Sequence, residues 1–369
     1  SMGSIADTTV AVVDELRRAG RRVGCVAVTS FRPFPSARIA AALRSARAVA
    51  VIERTDEPAA ADNPLTREVK AALADVAASA AHIPSVGSVA AGLGSRDVAA
   101  GDIAAVFRWL EKPLASDRRF AVLGIKHALG LERMDLEIRP KGAYSLRGHS
   151  IGGFGSITTN KLLAAVVGDL FGAFVQAYPR YGSEKKGLPT AYFLTIAEER
   201  VRTHAVLDHV DFVPVHDVAA FRQVAPLRGL ADGGTIFVPS PDTDAERIWA
   251  SLPVAVRTEI LARGIRMFAL DTAALARKHA PRADLQVRMQ GVALIGVFLR
   301  ASPLAERAGL DRERLLSATG SALSRYFGKR GPAVVDANLA VVREAYDGVI
   351  DVTALVGAPV TNARLEVAT

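Results

Sequence analysis

The apolar positions of this chain switch repeatedly between a helical and a strand period. Val10, Val13 and Leu16 recur at three-residue spacing, which predicts an amphipathic helix over about Ile5–Ala19. Ser4 and Asp7 are candidate caps for its start, and Gly20 ends it. The short apolar run Val23–Val28 predicts a buried strand. A stiff turn, Arg32-Pro33-Phe34-Pro35, leads to a helix over Ser36–Ser45. Ala48–Ile52 predicts a second buried strand, closed by the polar turn Glu53-Arg54-Thr55-Asp56-Glu57-Pro58. Asn63-Pro64-Leu65 opens a helix to about Ala78. Gly87–Leu93 predicts a further strand and turn, and a helix runs on to Trp109. From Lys112 to about Arg139 the periodicity fades and charges mix, so this stretch is predicted to be a linker.

The pattern then resumes. Ala143–His149 predicts a strand, followed by the glycine-rich turn Gly148-His149-Ser150-Ile151-Gly152-Gly153-Phe154-Gly155 and a helix over Lys161–Phe171. Val175–Tyr178, Tyr192–Ile196, Val210–Pro214, Thr235–Val238 and Phe268–Asp271 predict further strands. The helix Ala273–Lys278 follows, and helices dominate from Val287 to about Tyr346. Strands alternating with helices of this length predict an α/β fold of two doubly wound domains. Residues 1–112 form the first domain, 113–139 the linker, 140–350 the second domain with a helical C-terminal part, and 351–369 a tail. The first helix opens on Met2-Gly3-Ser4, where a βαβ unit would place a strand before the glycine. The chain is therefore expected to start just after its own first strand.

Composition narrows the chemistry. Half of the 369 residues are hydrophobic, enough for two full cores. The net charge of +8 comes mainly from scattered arginines, with clusters at Arg17, Arg18, Arg21, Arg22 and at Lys185, Lys186. It suits a solvated face, an acidic partner or a phosphate-bearing ligand, and no nucleic-acid motif accompanies it. The single cysteine, Cys25, excludes an internal disulfide and a cysteine-ligated iron–sulfur cluster, and its apolar neighbours predict a buried, inert thiol. No apolar run reaches membrane-spanning length, and a cytoplasmic protein is expected.

Three places are candidates for chemistry. Gly148, Gly152, Gly153 and Gly155 with Thr158 at the next helix start would let a phosphate approach backbone amides, or simply pack helix on sheet. The spacing is neither a dinucleotide fingerprint nor a P-loop. The polar loop Tyr181–Thr190 presents Glu184, Lys185 and Lys186, toward solvent, a partner or a cofactor phosphate. Arg32, Arg54 and Glu57 lie beyond strand ends and are candidates for domain contacts. His204, His209 and His216 have no metal-ligand spacing, and no nucleophile is paired with a base.

These motifs carry a resemblance. Met2-Gly3-Ser4, Arg32-Pro33-Phe34-Pro35, Ile52-Glu53-Arg54-Thr55-Asp56-Glu57-Pro58 with Pro64-Leu65, and Gly92-Leu93-Gly94-Ser95-Arg96-Asp97-Val98 resemble the transketolase C-terminal-like domain of 2-oxoacid:ferredoxin oxidoreductases. The glycine turn with Thr158-Thr159-Asn160-Lys161, Val175-Gln176-Ala177-Tyr178, Ser183-Glu184-Lys185-Lys186-Gly187-Leu188-Pro189-Thr190, Tyr326-Phe327-Gly328-Lys329-Arg330-Gly331 and Val334-Val335-Asp336-Ala337-Asn338 resemble its Rossmann-like gamma domain. Their order resembles the single-chain pyruvate:ferredoxin (flavodoxin) type. The resemblance implies oxidative decarboxylation of a 2-oxoacid to acyl-CoA, with thiamine diphosphate, magnesium and iron–sulfur clusters held by other domains or subunits. None of these is expected to bind this chain alone, and the chain is expected to be inactive by itself.

The same resemblance implies a homodimer, ferredoxin or flavodoxin as electron acceptor, and a coenzyme A path beside Gly152, Gly153, Gly155, Thr158, Lys185 and Lys186. It implies neither nucleic acid nor membrane as a partner. One departure stands out. After Arg119-Phe120 the family usually has a glycine followed by paired aspartates; this chain has Gly124-Ile125-Lys126-His127-Ala128-Leu129, without the acidic pair, which puts contacts made there and activity on pyruvate itself in question. A non-catalytic assembly module related to the family is the alternative.

Overall fold

The computed structural model describes residues 1–151, 156–180, 189–215, 221 and 225–356. The chain divides into two compact units. One holds Ser1–Arg139 with Arg202–Val206, the other Pro140–Val201 and the described residues from Leu207 on.

The first unit is built on three parallel strands in the order β1 (Ala48–Glu53), β2 (Ser85–Ala90), β3 (Phe120–Val122). Its helices are α1 (Gly3–Arg18), α2 (Ser36–Leu43), α3 (Pro64–Asp75) and α4 (Ala100–Trp109). Successive strand residues face opposite ways. Ile52 and Val89 therefore join Val12, Leu16 and Ile103 in one core, while Val51 and Val86 join Ile39, Leu65 and Val69 in another. A sheet covered on both faces needs apolar residues at consecutive strand positions, and Val49–Ile52 supplies them.

Several expectations need correction here. Val23–Val28 is extended but is not a strand; it makes one isolated parallel bridge, Met2 to Val28. Apolar content favours a strand, but a ladder needs a neighbour along its length. Cys25 is exposed rather than buried. Neither Ser4 nor Asp7 caps α1, whose N-cap residue is Met2 with no side-chain bond. The stretch expected as a linker contains β3, and Leu131, Met134, Leu136 and Ile138 pack against the α1–α4 core. Gly101 makes that packing possible, because a Cβ there would lie 1.9 Å from the Met134 carbonyl oxygen. Asp102 secures it: its buried carboxylate accepts from the Ala99 amide and from Arg133 Nε (3.1 Å) and Nη2 (2.8 Å). Weak periodicity hid the segment because it is pinned by side chains rather than by regular structure. Arg202–Val206 also packs with this unit: the His204 amide donates to Thr8 Oγ1 at 3.1 Å, and Arg202 pairs with Asp14.

The second unit contains a seven-stranded mixed sheet. Its strands are β4 (Tyr144–Ile151), β5 (Phe174–Arg180), β6 (Pro189–Ala197), β7 (Val210–Pro214), β8 (Leu230–Pro239), β9 (Arg266–Leu270) and β10 (Ile350–Asp351), in the order β10-β9-β8-β7-β4-β6-β5. The middle strands β4, β7, β8 and β9 are parallel. β6, β5 and the short β10 run antiparallel to their neighbours. Its longer helices are α5 (Ser156–Phe171), α6 (Ala245–Ala250), α7 (Val254–Ala262), α8 (Thr272–His279), α9 (Gln286–Ala301), α10 (Arg312–Phe327) and α11 (Pro332–Gly348). The α/β class expected from the alternation is the class observed.

Helix α9 is buried nearly all round, from Gly291 to Leu299. Such a helix belongs inside a core. Its Phe298 meets Tyr144 of β4 and Phe212 of β7 edge to face, with ring centroids 5.9 and 5.4 Å apart. Small residues let its neighbours close in: a Cβ at Gly291 would strike Thr159 Oγ1 of α5, and one at Gly296 the Val342 carbonyl of α11.

Candidate functional site

Each unit presents the carboxyl ends of parallel strands, the usual place for ligands in α/β folds. In the first unit, β1 ends at Glu53, a buried carboxylate aimed at the start of α3. It accepts from the Leu65 amide (2.6 Å), the Thr66 amide (3.0 Å) and Thr66 Oγ1 (2.8 Å). A negative charge at a helix N-terminus satisfies unpaired amides and opposes the helix dipole. Thr66 Oγ1 also reaches Ser88 Oγ of β2 at 3.1 Å. Buried Asn63 then fixes the intervening loop by donating to the Thr55 carbonyl and accepting from the Glu57 amide, both at 3.0 Å. Glu53 is therefore a structural anchor.

The residues expected at domain contacts surround this anchor but differ in state. Arg32 pairs with Glu68 at 2.9 Å and stacks on Phe31 at 4.2 Å. Glu57 pairs with Arg67 at 2.8 Å. Exposed Arg54 has no ion pair among the described residues, and its guanidinium lies over Gly92. Beyond it, Gly92, Gly94 and Ser95 all have left-handed backbone, with φ of 65°, 60° and 61°. For Ser95 that conformation is uncommon and strained. Arg96 Nη1 sits over Gly94 and donates to the Leu93 carbonyl at 3.1 Å. Two arginines thus flank a turn whose shape only glycine tolerates well. Gly92 and Gly94 could have signalled it in the sequence, whereas Ser95 gives no such signal.

In the second unit, β4 leads toward α5. Gly152, Gly153 and Gly155 lie outside the described residues, as do Glu184, Lys185 and Lys186. Thr158 is exposed in the first turn of α5. Thr159 and Asn160 behind it are buried. Asn160 Nδ2 donates to the Phe193 carbonyl at 3.1 Å, while its Oδ1 accepts nothing among the described residues. A 16-residue helix start with an exposed hydroxyl suits an anion.

Of the two readings open for the glycine turn, Gly148 takes the packing one. A Cβ there would lie 1.9 Å from the Tyr192 ring, so the glycine lets that fully buried tyrosine lie against β4. Burial pushes the Tyr192 phenol well above its ordinary range. Arg147 beside it is nine-tenths buried, and its Nη2 donates to the carbonyls of Pro226 and Arg228. Burial pushes its guanidinium down, opposed by Asp208.

Among the described residues, no group of three or more His, Cys, Asp or Glu side chains is placed to hold a metal. No described helix is long and apolar enough to cross a membrane. His204 pairs with Asp7 at 3.3 Å.

Comparisons with known proteins add the context. A family model of pyruvate ferredoxin/flavodoxin oxidoreductase matches residues 145–348, and one of pyruvate:ferredoxin oxidoreductase core domain II matches residues 1–103. The pyruvate-flavodoxin oxidoreductase of Klebsiella pneumoniae is 28% identical over 347 residues, covering 92% of this chain and 28% of that protein. That of Rhodospirillum rubrum is 29% identical over 362 residues, covering 95% of this chain and 29% of that protein. The chain therefore spans less than a third of the length of these relatives. A pyruvate oxidoreductase subunit from Thermotoga maritima aligns with a TM-score of 0.42 at 21% identity, over 57% of this chain and 98% of its own.

Proposed function

The chain belongs to the pyruvate ferredoxin/flavodoxin oxidoreductase family, and from that premise we propose that it is the scaffold and coenzyme A-side portion of a 2-oxoacid:ferredoxin oxidoreductase. The observation that carries this reading is the pair of family models, matched in order along one chain. In the proposed assembly, other domains or subunits hold thiamine diphosphate, magnesium and the iron–sulfur clusters. A chain with one cysteine has too few thiolates for a four-cysteine cluster. Thiamine diphosphate supplies carbanion stabilisation when bound.

This chain's own residues would bind and orient. The start of α5, with its backbone amides and the exposed Thr158 hydroxyl, offers donors suited to a phosphate of coenzyme A. Lys185 and Lys186 are proposed to add charge there, and Gly152, Gly153 and Gly155 to let the backbone approach. Arg54 is the domain-contact candidate best placed to pair with a carboxylate of a partner, because Arg32 and Glu57 are already paired. Glu184 is proposed for a similar contact. A homodimer and a ferredoxin or flavodoxin acceptor complete the proposal, in the cytoplasm.

The test is reconstitution. Together with thiamine-binding and iron–sulfur partners, the chain should support coenzyme A-dependent, thiamine-dependent oxidation of a 2-oxoacid such as pyruvate. Calorimetry with coenzyme A should show binding that weakens in the Lys185→Ala, Lys186→Ala double variant. An assembly without turnover on any 2-oxoacid would sink the catalytic reading. It would favour a non-catalytic assembly module related to the family.

A further inference from the structure

The carboxyl edge of the sheet in the first unit gathers positive charge that the unit itself leaves unanswered. Each of the three parallel strands is followed by a cation. Arg54 comes directly after β1, Arg96 in the turn after β2, and Lys126 in the stretch after β3. All three are exposed, and none forms an ion pair among the described residues. Other arginines of the unit are engaged: Arg32 with Glu68, Arg67 with Glu57 and Arg133 with Asp102. Asp56 and Asp97 adjoin the two free arginines in sequence, yet among the described residues neither pairs with them.

The two guanidinium groups are seated on glycines. A Cβ at Gly92 would lie 2.8 Å from Arg54 Nη1 and 3.3 Å from the Arg96 carbonyl oxygen. Arg54 therefore rests on the glycine, beside the backbone of Arg96. A Cβ at Gly94 would lie 2.7 Å from Arg96 Nη1, which donates to the Leu93 carbonyl at 3.1 Å. The Arg96 stem passes Gly124, 4.0 Å from where a Cβ would be, two residues before Lys126. Gly92 and Gly94 are two residues apart, so their Cα atoms lie within about 7 Å of each other. Cations held this close with no counter-ion repel one another. The turn beneath them is also strained. Among the described residues, Ser95 alone is not glycine and has a positive φ, 61°. Strain of this kind persists where the surroundings enforce it, and it clusters at ligand sites. Left-handed turns gather backbone amides into concavities that suit anions.

We propose that this edge is an oxyanion site for the phosphoryl groups of a small diphosphate, gripped by Arg54 and Arg96, with Lys126 adding charge. Cations from three separate loops suit an anion with several free oxygens pointing different ways. A planar carboxylate is satisfied by the two parallel bonds of a single arginine. The carboxyl ends of parallel strands are also the usual ligand end of an α/β sheet. The site lies in the first unit, whereas the α5 start belongs to the second, and it rests on no reading of the family. A carboxylate of a partner protein is the competing occupant.

The test is calorimetry of the full chain with inorganic pyrophosphate, in about 0.1 M salt to screen diffuse charge. Binding with a dissociation constant below about 1 mM is expected. Arg54→Ala and Arg96→Ala should each weaken it about tenfold or more, and Lys126→Ala by less. All three side chains are exposed, so these variants keep the fold. The Lys185→Ala, Lys186→Ala double variant should bind as the parent does. A parallel titration with adenosine diphosphate separates the two sources of phosphoryl groups. If it binds as tightly, through the same arginines, the occupant is an organic diphosphate; if only pyrophosphate binds so, it is the inorganic ion. Absence of pyrophosphate binding, or binding indifferent to Arg54 and Arg96, would overturn the proposal. Loss in the lysine double variant instead would move the anion to the second unit and overturn it too. Succinate binding as tightly as pyrophosphate would give the edge to a partner's carboxylates. None of these readouts depends on turnover.

Discussion

The two units start their helices and finish their sheets by different means. In the second unit, three helices, α6, α8 and α10, are capped by the aspartate just before each, Asp244, Asp271 and Asp311, while α7, α9 and α11 have no side-chain cap. Its parallel strands are flanked on both sides by antiparallel ones. In the first unit, none of the four helices has a side-chain bond from its own N-cap residue. There α3 is held by Glu53 at the end of a strand, and β1 faces a cleft. The second unit also gathers strands and helices around one large core, whereas the first divides its apolar residues between two faces of a narrow sheet. Local capping makes a helix start independent of its surroundings. Capping from a distant strand ties helix and sheet into one cooperative piece.

The largest effect should come from the undivided core. Phe298→Ala in α9 removes a ring that is completely buried against Tyr144 and Phe212. A loss of about 3–5 kcal/mol is expected, read from urea unfolding followed by a probe in the second unit. A loss below about 1 kcal/mol would mean that α9 is not the centre of that core. Next is Glu53→Gln. The substitution removes the charge that receives two amides and a hydroxyl, all from the start of α3, at a cost of about 1–3 kcal/mol. Because the anchor joins α3 to β1, hydrogen exchange should rise in both elements together. An increase confined to α3 would show that Glu53 is only a local cap.

Asp271→Ala tests the contrasting case. Asp271 accepts from the Ala274 amide at 2.8 Å, and its removal should cost about 1 kcal/mol, with faster exchange confined to the first turn of α8. Exchange spreading to β8 would erase the distinction between the two kinds of capping.

These differences also explain what was legible in the sequence. Ala48–Ile52 and Val210–Pro214 read directly as strands, because each is a short apolar run placed beside other strands. Val23–Val28 has the same composition but no ladder, since pairing depends on a neighbour that composition does not encode. The region 113–139 concealed β3 because three strand residues are too few to establish a period. At the candidate sites, the strand and turn expected over Gly87–Leu93 reached the edge of the left-handed turn at Gly92–Ser95. Nothing local announced Glu53 as the anchor of α3, since its partners lie 12 and 13 positions away. Gly148 was open to two readings, ligand approach or packing, and its constraint is packing, against Tyr192 far along the chain.

The smallest effect concerns the open edge itself. Cys25 is exposed, but partial burial along the cleft raises its thiol pKa, opposed by the nearby positive charges of the amino terminus and Arg17. Thiolate is the reactive form, so a raised pKa means less of it at a given pH. Iodoacetamide labelling of Cys25 should therefore rise with pH to a midpoint above that of a small free thiol measured alongside. A midpoint at or below the free thiol would mean that the positive neighbours outweigh burial. In that case the wall of the cleft is effectively water-exposed, and the first unit differs from the second in its caps and core but not in the dryness of its sheet edge.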